Sequence, residues 1–369
     1  MNIRKEKNKL ALGKLSRRGN EWNWEQFHKW REKDTVCKYV NRPVIKKDSK
    51  VFTIGSCFAE NVATYLETKS LYVHHFPDTI HFFSTSILQE LKHLLVEPQY
   101  TTDDLWTTDS GLYAHPFRKP SFRTNTKEEM KVYSDRIESK ALGHLKEADV
   151  IIITLGGTET WQDPKTKKPF LTIPYPDVFN TQMPGVAEFH NITFQENYDA
   201  LKEIYLLLRE HVPKADIIMS VSPNRMTFTV SDKDVVEATC QGKSVLRAAV
   251  GELTDRYTEN LYYFHSYELI EYAKHNIDFL DREQRHVNKF GVSVAMAEFI
   301  KYFASDELQN RAEYDHVQQM VKDRAVKYHV PALPFRRRLH YRAASILHIL
   351  GIRGAGQLYN RLFKYKSNI

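Results

Sequence analysis

Short apolar, β-branched runs alternate along the chain with longer stretches whose apolar positions recur at helical spacing. The runs fall at residues 51–54, 71–73, 150–155, 216–221 and 261–264, each too short for a helix. Helical spacing marks residues 58–66, 84–95, 126–148, 194–211, 231–257 and 292–303. Strand and helix in alternation predict an α/β fold, a parallel sheet with helices on both faces. The run 150–155 is apolar or β-branched throughout, as a central strand covered on both sides requires. In an open sheet of this kind ligands bind outside the carboxyl ends of the strands, so the residues just after each run hold the candidate chemistry.

Two segments interrupt the alternation. Residues 100–120 are polar and aromatic-rich, with Trp106, Tyr113 and Phe117, and are expected to help shape a substrate cleft. Residues 163–188 are rich in Pro, Asp and Lys and are expected to run over the active face as a long loop that sets substrate choice. At the ends the character changes. Residues 1–44 form a basic arm in which Trp22, Trp24, Phe27 and Trp30 are read as packing onto the core rather than stacking on sugars or bases. Residues 45–305 form the main domain. Residues 306–369 comprise a charged helix to about residue 328, a break at Pro331 and Pro334, and a tail that opens with Arg336, Arg337 and Arg338 and holds no acidic residue.

The 369 residues are 42% hydrophobic, enough for one large core with extensions, and carry a formal charge of +7. The basic amphipathic tail suits an anionic membrane surface, with a docked helix as the bland alternative. The first twenty residues lack the apolar core of a secretory signal and no stretch approaches a membrane span, so the expectation is a cytoplasmic protein, peripheral on the inner face of the membrane. Nucleic acid is the less favoured partner. Cys37, Cys57 and Cys240 are odd in number and widely spaced, and His74, His75 and His81 match no zinc spacing, so neither a disulfide framework nor a metal is expected. No dinucleotide or P-loop glycine signature is present, and no cofactor is expected.

The first strand ends at Gly55-Ser56-Cys57, where a helix begins. Glycine permits a tight corner, and a helix N-terminus offers free N–H groups and a positive dipole end that favour a thiolate. Either Ser56 or Cys57 can be a nucleophile there, or Ser56 a simple cap beside a buried cysteine. The third and fourth strands end at Gly156-Gly157-Thr158-Glu159 and Ser222-Pro223-Asn224-Arg225. Arg225 is either a clamp for a substrate carboxylate or phosphate or half of a structural ion pair.

The stretch Gly55 to Ala59 reads GSCFA, and with the blocks at 154–161, 220–225, 263–268 and 286–288 it resembles the GSCFA domain family, a group similar to the SGNH/GDSL hydrolases and acyltransferases. The resemblance covers roughly residues 45–305 and implies a three-layer, flavodoxin-like sheet. It also implies a nucleophile–histidine–acid site, with Cys57 standing where the SGNH serine does, Ser56 as alternative, and His286 as general base. Glu283 has the SGNH spacing to that histidine, and Asp281 competes with it. Thr158 stands where SGNH enzymes carry an oxyanion-donating asparagine, and Gly55, Gly157, Glu159 and Arg225 are the other candidates for oxyanion or substrate contact, a helix-start charge being the alternative for Glu159. No glycine follows the second strand to supply another oxyanion N–H, and Ser84, Thr85 or Ser86 is its expected replacement. The implied activity is that of an esterase or O-acyltransferase taking an acyl ester or acyl donor, with a glycan or similar polar acceptor. A carbohydrate-binding or scaffold protein without turnover is the alternative.

Overall fold

The computed structural model describes residues 43–76, 80–118, 122–171, 187–272 and 279–324. The basic arm up to residue 42, the tail from residue 325 and most of the 163–188 segment lie outside the described residues, as does Cys37.

Strands β1 (Lys50–Gly55), β2 (Tyr72–His75), β6 (Val150–Leu155), β9 (Asp216–Val221) and β10 (Leu261–Phe264) form one sheet in the order β10-β9-β6-β1-β2. Every pairing in it is parallel. Ranked by position in the chain, this is the flavodoxin-like order 2-1-3-4-5, whose direction reverses between β1 and β6. Helices α1 (Cys57–Thr68), α2 (Ser84–Leu95), α3 (Lys127–Lys146), α4 (Phe194–His211), α5 (Val235–Arg256), α6 (Ser266–Glu271) and α7 (Lys289–Phe303) connect and cover the strands.

Alternate strand residues face opposite sides, and each side has its own core. Phe52, Ile54, Ile151, Ile153, Leu155, Ile217 and Met219 pack under α2, α3, α4 and α5. Val51, Val150, Ile152 and Ile218 pack under α1 and α7. The molecule is thus a three-layer α/β domain, as the alternation predicts. Helix α8 (Arg311–Arg324) joins the second side, with Val317 packed among Val294, Ala297 and Phe290 and with Tyr314 donating to Glu298. At the domain's other entry, Ile45 N–H donates to Phe303 O at 2.8 Å.

The 100–120 insertion supplies β3 (Trp106–Thr107) and β4 (Tyr113–Ala114) of a small antiparallel sheet that β5 (Arg123–Thr124) completes. Arg118, with no exposed surface, fastens it to the domain by reaching Glu90 of α2 at 2.8 Å and Glu138 of α3 at 2.7 Å. Tyr100 also donates to Glu90. A buried ion pair costs desolvation and is worth most as a device that fixes one arrangement, since losing either partner strands the other's charge. The three histidines of 74–81 go separate ways, His74 stacking on His144, His75 bonding Thr53, and His81 lying near Glu90.

Candidate functional site

The site forms where the sheet order reverses, from the loops after β1, β6 and β9 and a hairpin before α7. Gly55 makes the first corner possible. Its φ is +143°, and a Cβ there would stand 2.2 Å from Thr154 O in β6, so β1 and β6 approach as only glycine allows. The Gly55 carbonyl accepts from His81 N–H.

Ser56, 1% exposed, turns inward and caps α1, its Oγ accepting from Phe58 N–H and sharing a 2.9 Å hydrogen bond with Thr154 Oγ1. A hydroxyl so placed fixes the corner. Cys57 opens the helix, half-buried, and its Sγ accepts from Asn224 Nδ2 at 2.9 Å. Of the two candidate nucleophiles, Cys57 is therefore the one with an accessible side chain.

Asn224 is the residue that sequence reasoning missed. Its Oδ1 accepts from Val287 N–H at 2.9 Å, so one amide joins the Cys57 sulfur to the hairpin that carries His286. His286 stands half-exposed, with Nδ1 3.3 Å from Asp281 Oδ2. Asp281 also accepts from the N–H groups of Arg285 and His286, which together with the His286 ring hold its carboxyl below the usual carboxylate range. Glu283, at the expected spacing, lies exposed in the turn, and the residue paired with His286 is Asp281. The turn brings the fifth residue back, not the third, because Gln284 takes the left-handed conformation at φ +58° and the chain closes Asp281 N–H onto His286 O. Among the described contacts Cys57 and His286 share no direct hydrogen bond; Asn224 lies on the path between them.

The other expected contacts serve the scaffold. Arg225 is not a free clamp, for its Nη2 donates to both Glu271 oxygens at 3.0 and 3.2 Å and its backbone N–H donates to Arg285 O, which ties the β9 loop to the histidine hairpin. Glu159, opening β7 (Glu159–Gln162, paired with β8, Glu188–Asn191), accepts from Thr229 and Ser231 and pins the loop after Arg225. Phe228 and Val230 on that loop remain 52% and 48% exposed. Gly157 N–H and Gly156 N–H both donate to Phe82 O, so Gly157 supplies no free oxyanion N–H. Thr158 is buried with its hydroxyl against Gly242 of α5. Of the expected replacements, Ser84 donates to Asn197 and Ser86 to Phe83 O, while Thr85 keeps a buried hydroxyl with no partner among the described residues.

Beneath the loops lies Lys243 of α5, 2% exposed, its Nζ donating to Gly156 O at 2.5 Å and Ser222 O at 2.7 Å. It draws the ends of β6 and β9 together. Burial pushes the ammonium down to about 7, opposed by the charge of Cys57. The signal was present in the sequence, since Lys243 falls in the same stripe as Ala238, Gly242, Leu246 and Val250. A lysine at an apolar helix position needs a buried partner.

The GSCFA family model matches residues 50–299, so the chain belongs to the GSCFA family. No curated protein matches it in sequence.

Proposed function

We propose that this member of the GSCFA family is an acyl-transferring enzyme, an esterase or O-acyltransferase that uses Cys57 as nucleophile, His286 as base and Asp281 to orient it. The observation that carries the reading is the accessible thiol at the first turn of α1, bound by an amide whose other end holds the His286–Asp281 hairpin. His286 would take the thiol proton and the sulfur would attack the acyl carbonyl. The alkoxide would leave with that proton, and a thioester would remain on Cys57. Water completes hydrolysis and a sugar hydroxyl completes transfer, both through His286 as base. The acyl acceptor we propose is a glycan or similarly polar alcohol, with the basic tail holding the protein at an anionic membrane surface. A second reading, a scaffold or carbohydrate-binding protein, draws on the lack of a direct hydrogen bond between Cys57 and His286, although catalytic hydrogen bonds often form only once substrate is bound.

The test is turnover of a panel of p-nitrophenyl acyl esters, with and without oligosaccharide acceptors, by the wild type and by Cys57→Ala, Ser56→Ala and His286→Ala. Loss in the Cys57 and His286 variants with retention in Ser56→Ala supports the enzyme. Loss confined to Ser56→Ala, with a fluorophosphonate probe labelling Ser56, makes it a serine hydrolase. Absence of turnover in the wild type leaves the scaffold reading.

A further inference from the structure

We propose that Asn224 is a catalytic residue of this site, its side-chain amide and the backbone N–H of Cys57 being the donors that receive the acyl oxygen as it becomes an oxyanion. The inference rests on the acyl-transfer reading and adds to it the group that stabilises its transition state.

The amide's orientation is fixed by its neighbours. Val287 N–H can only donate, so the atom it meets at 2.9 Å is the carbonyl oxygen of Asn224, and the NH2 end must face Cys57 Sγ. One of the two Nδ2 hydrogens points at sulfur, and the other has no acceptor among the described residues. The Cys57 N–H is likewise without an acceptor there, as the first N–H of a helix is, and stands at the positive end of α1. An acyl carbon bonded to Sγ therefore carries its oxygen into a space flanked by two donors from different elements.

Four of the donors near the strand ends are already engaged. Gly156 and Gly157 give their N–H groups to Phe82 O, and the hydroxyls of Ser84 and Ser86 are bound to Asn197 Oδ1 and Phe83 O. Asn224, by contrast, already touches the nucleophile. Its loop is held before any substrate arrives, by Asn224 N–H on Ser222 Oγ, Arg225 N–H on Arg285 O and the Arg225–Glu271 pair. Donors held in place beforehand stabilise a developing charge without reorganising, which is what makes such groups effective.

In the step itself the Cys57 thiolate forms the C–S bond while the carbonyl π pair moves onto oxygen, where Asn224 and Cys57 N–H donate to it. That pair then returns, the C–O bond to the leaving group breaks, and the leaving alkoxide takes the proton held by His286. No electrons are gained or lost.

The experiment compares two reactions of one sulfur. Iodoacetamide alkylates Cys57 by displacement at a tetrahedral carbon with no oxyanion, whereas p-nitrophenyl acetate acylates it through one. Both rates are measured by mass spectrometry and nitrophenol release in full-length wild type, Asn224→Ala and Asn224→Asp. The Asp variant keeps an acceptor for Val287 N–H, so the hairpin retains its anchor while the donor is gone. The expected result is an acylation-to-alkylation ratio lowered ~100-fold or more in both variants. An unchanged ratio in a folded variant overturns the assignment. A wild type that is alkylated at Cys57 yet acylated by no ester overturns the acyl-transfer reading itself, and the role of Asn224 with it.

Discussion

Replacing Lys243 by Met probes the interior of the site through stability rather than activity. In the folded protein burial pushes the ammonium from an ordinary 10.5 to about 7. At ~1.4 kcal/mol for each pH unit between those values, keeping the charge inside costs about 5 kcal/mol. Methionine removes that cost but strips Gly156 O and Ser222 O of their donor, at ~1–3 kcal/mol for each buried carbonyl. The two effects are of similar size, so stability at one pH decides nothing and its pH dependence decides the matter. Below pH 7 both states hold the proton and the full cost stands. As pH rises from 7 towards 10.5 the folded protein releases its proton while the unfolded chain keeps its own, so the folded state gains. A neutral amine still has two N–H groups for its two carbonyls. The assay is urea unfolding at pH 7 and pH 9 in a Cys57→Ala background, which removes the neighbouring thiol. Lys243 should gain about 2 kcal/mol between these pH values relative to Lys243→Met. Parallel stability curves for the two proteins would falsify the claim that this lysine is buried at the cost described.

Two further predictions follow from the corner and the hairpin. Gly55→Ala forces a Cβ against Thr154 O at a φ of +143°, and should lower stability by ~3 kcal/mol or more or prevent folding, read by thermal melting; a loss under ~1 kcal/mol would mean the corner relaxes freely. Asp281→Asn should lower ester turnover by ~10-fold or more while Glu283→Gln stays within about twofold, and the reverse ranking would return the orienting role to Glu283.

The sheet was legible because its central strands, β1, β6 and β9, are buried on both faces and need continuous apolar runs. Three strands, β6, β9 and β10, and helices α2 and α4 have the bounds the periodicity predicts. The second strand runs Tyr72–His75 instead of 71–73, since His74 and His75 extend it with polar rings that periodicity discounts. The pieces that escaped are those without a period. Strands of two residues such as Trp106–Thr107 leave no pattern, and the pairing of β7 with β8 joins segments some thirty residues apart. At the site, strand ends located Cys57 and Thr158, and the family's order located His286, while Asn224 stood at a strand end with no role assigned to it. Which of these groups touch depended on three-dimensional contacts. Asp281 displaced Glu283 through a left-handed residue at 284, and Arg225 was claimed by Glu271, forty-six positions away.

The loop after Arg225 is anchored at alternate residues, Thr229 and Ser231 being held by Glu159, while Phe228 and Val230, which alternate with them, are about half exposed. Anchorage and exposure thus fall to different residues of the same short segment. Residues 228 and 230 can change in size or polarity without disturbing the hydrogen bonds that hold the loop, so its exposed positions are free to diversify while its anchors stay constant. Within the family, variation concentrated at these two positions beside an unchanged Glu159 partner set would show that the loop's anchorage and its exposed side evolve separately.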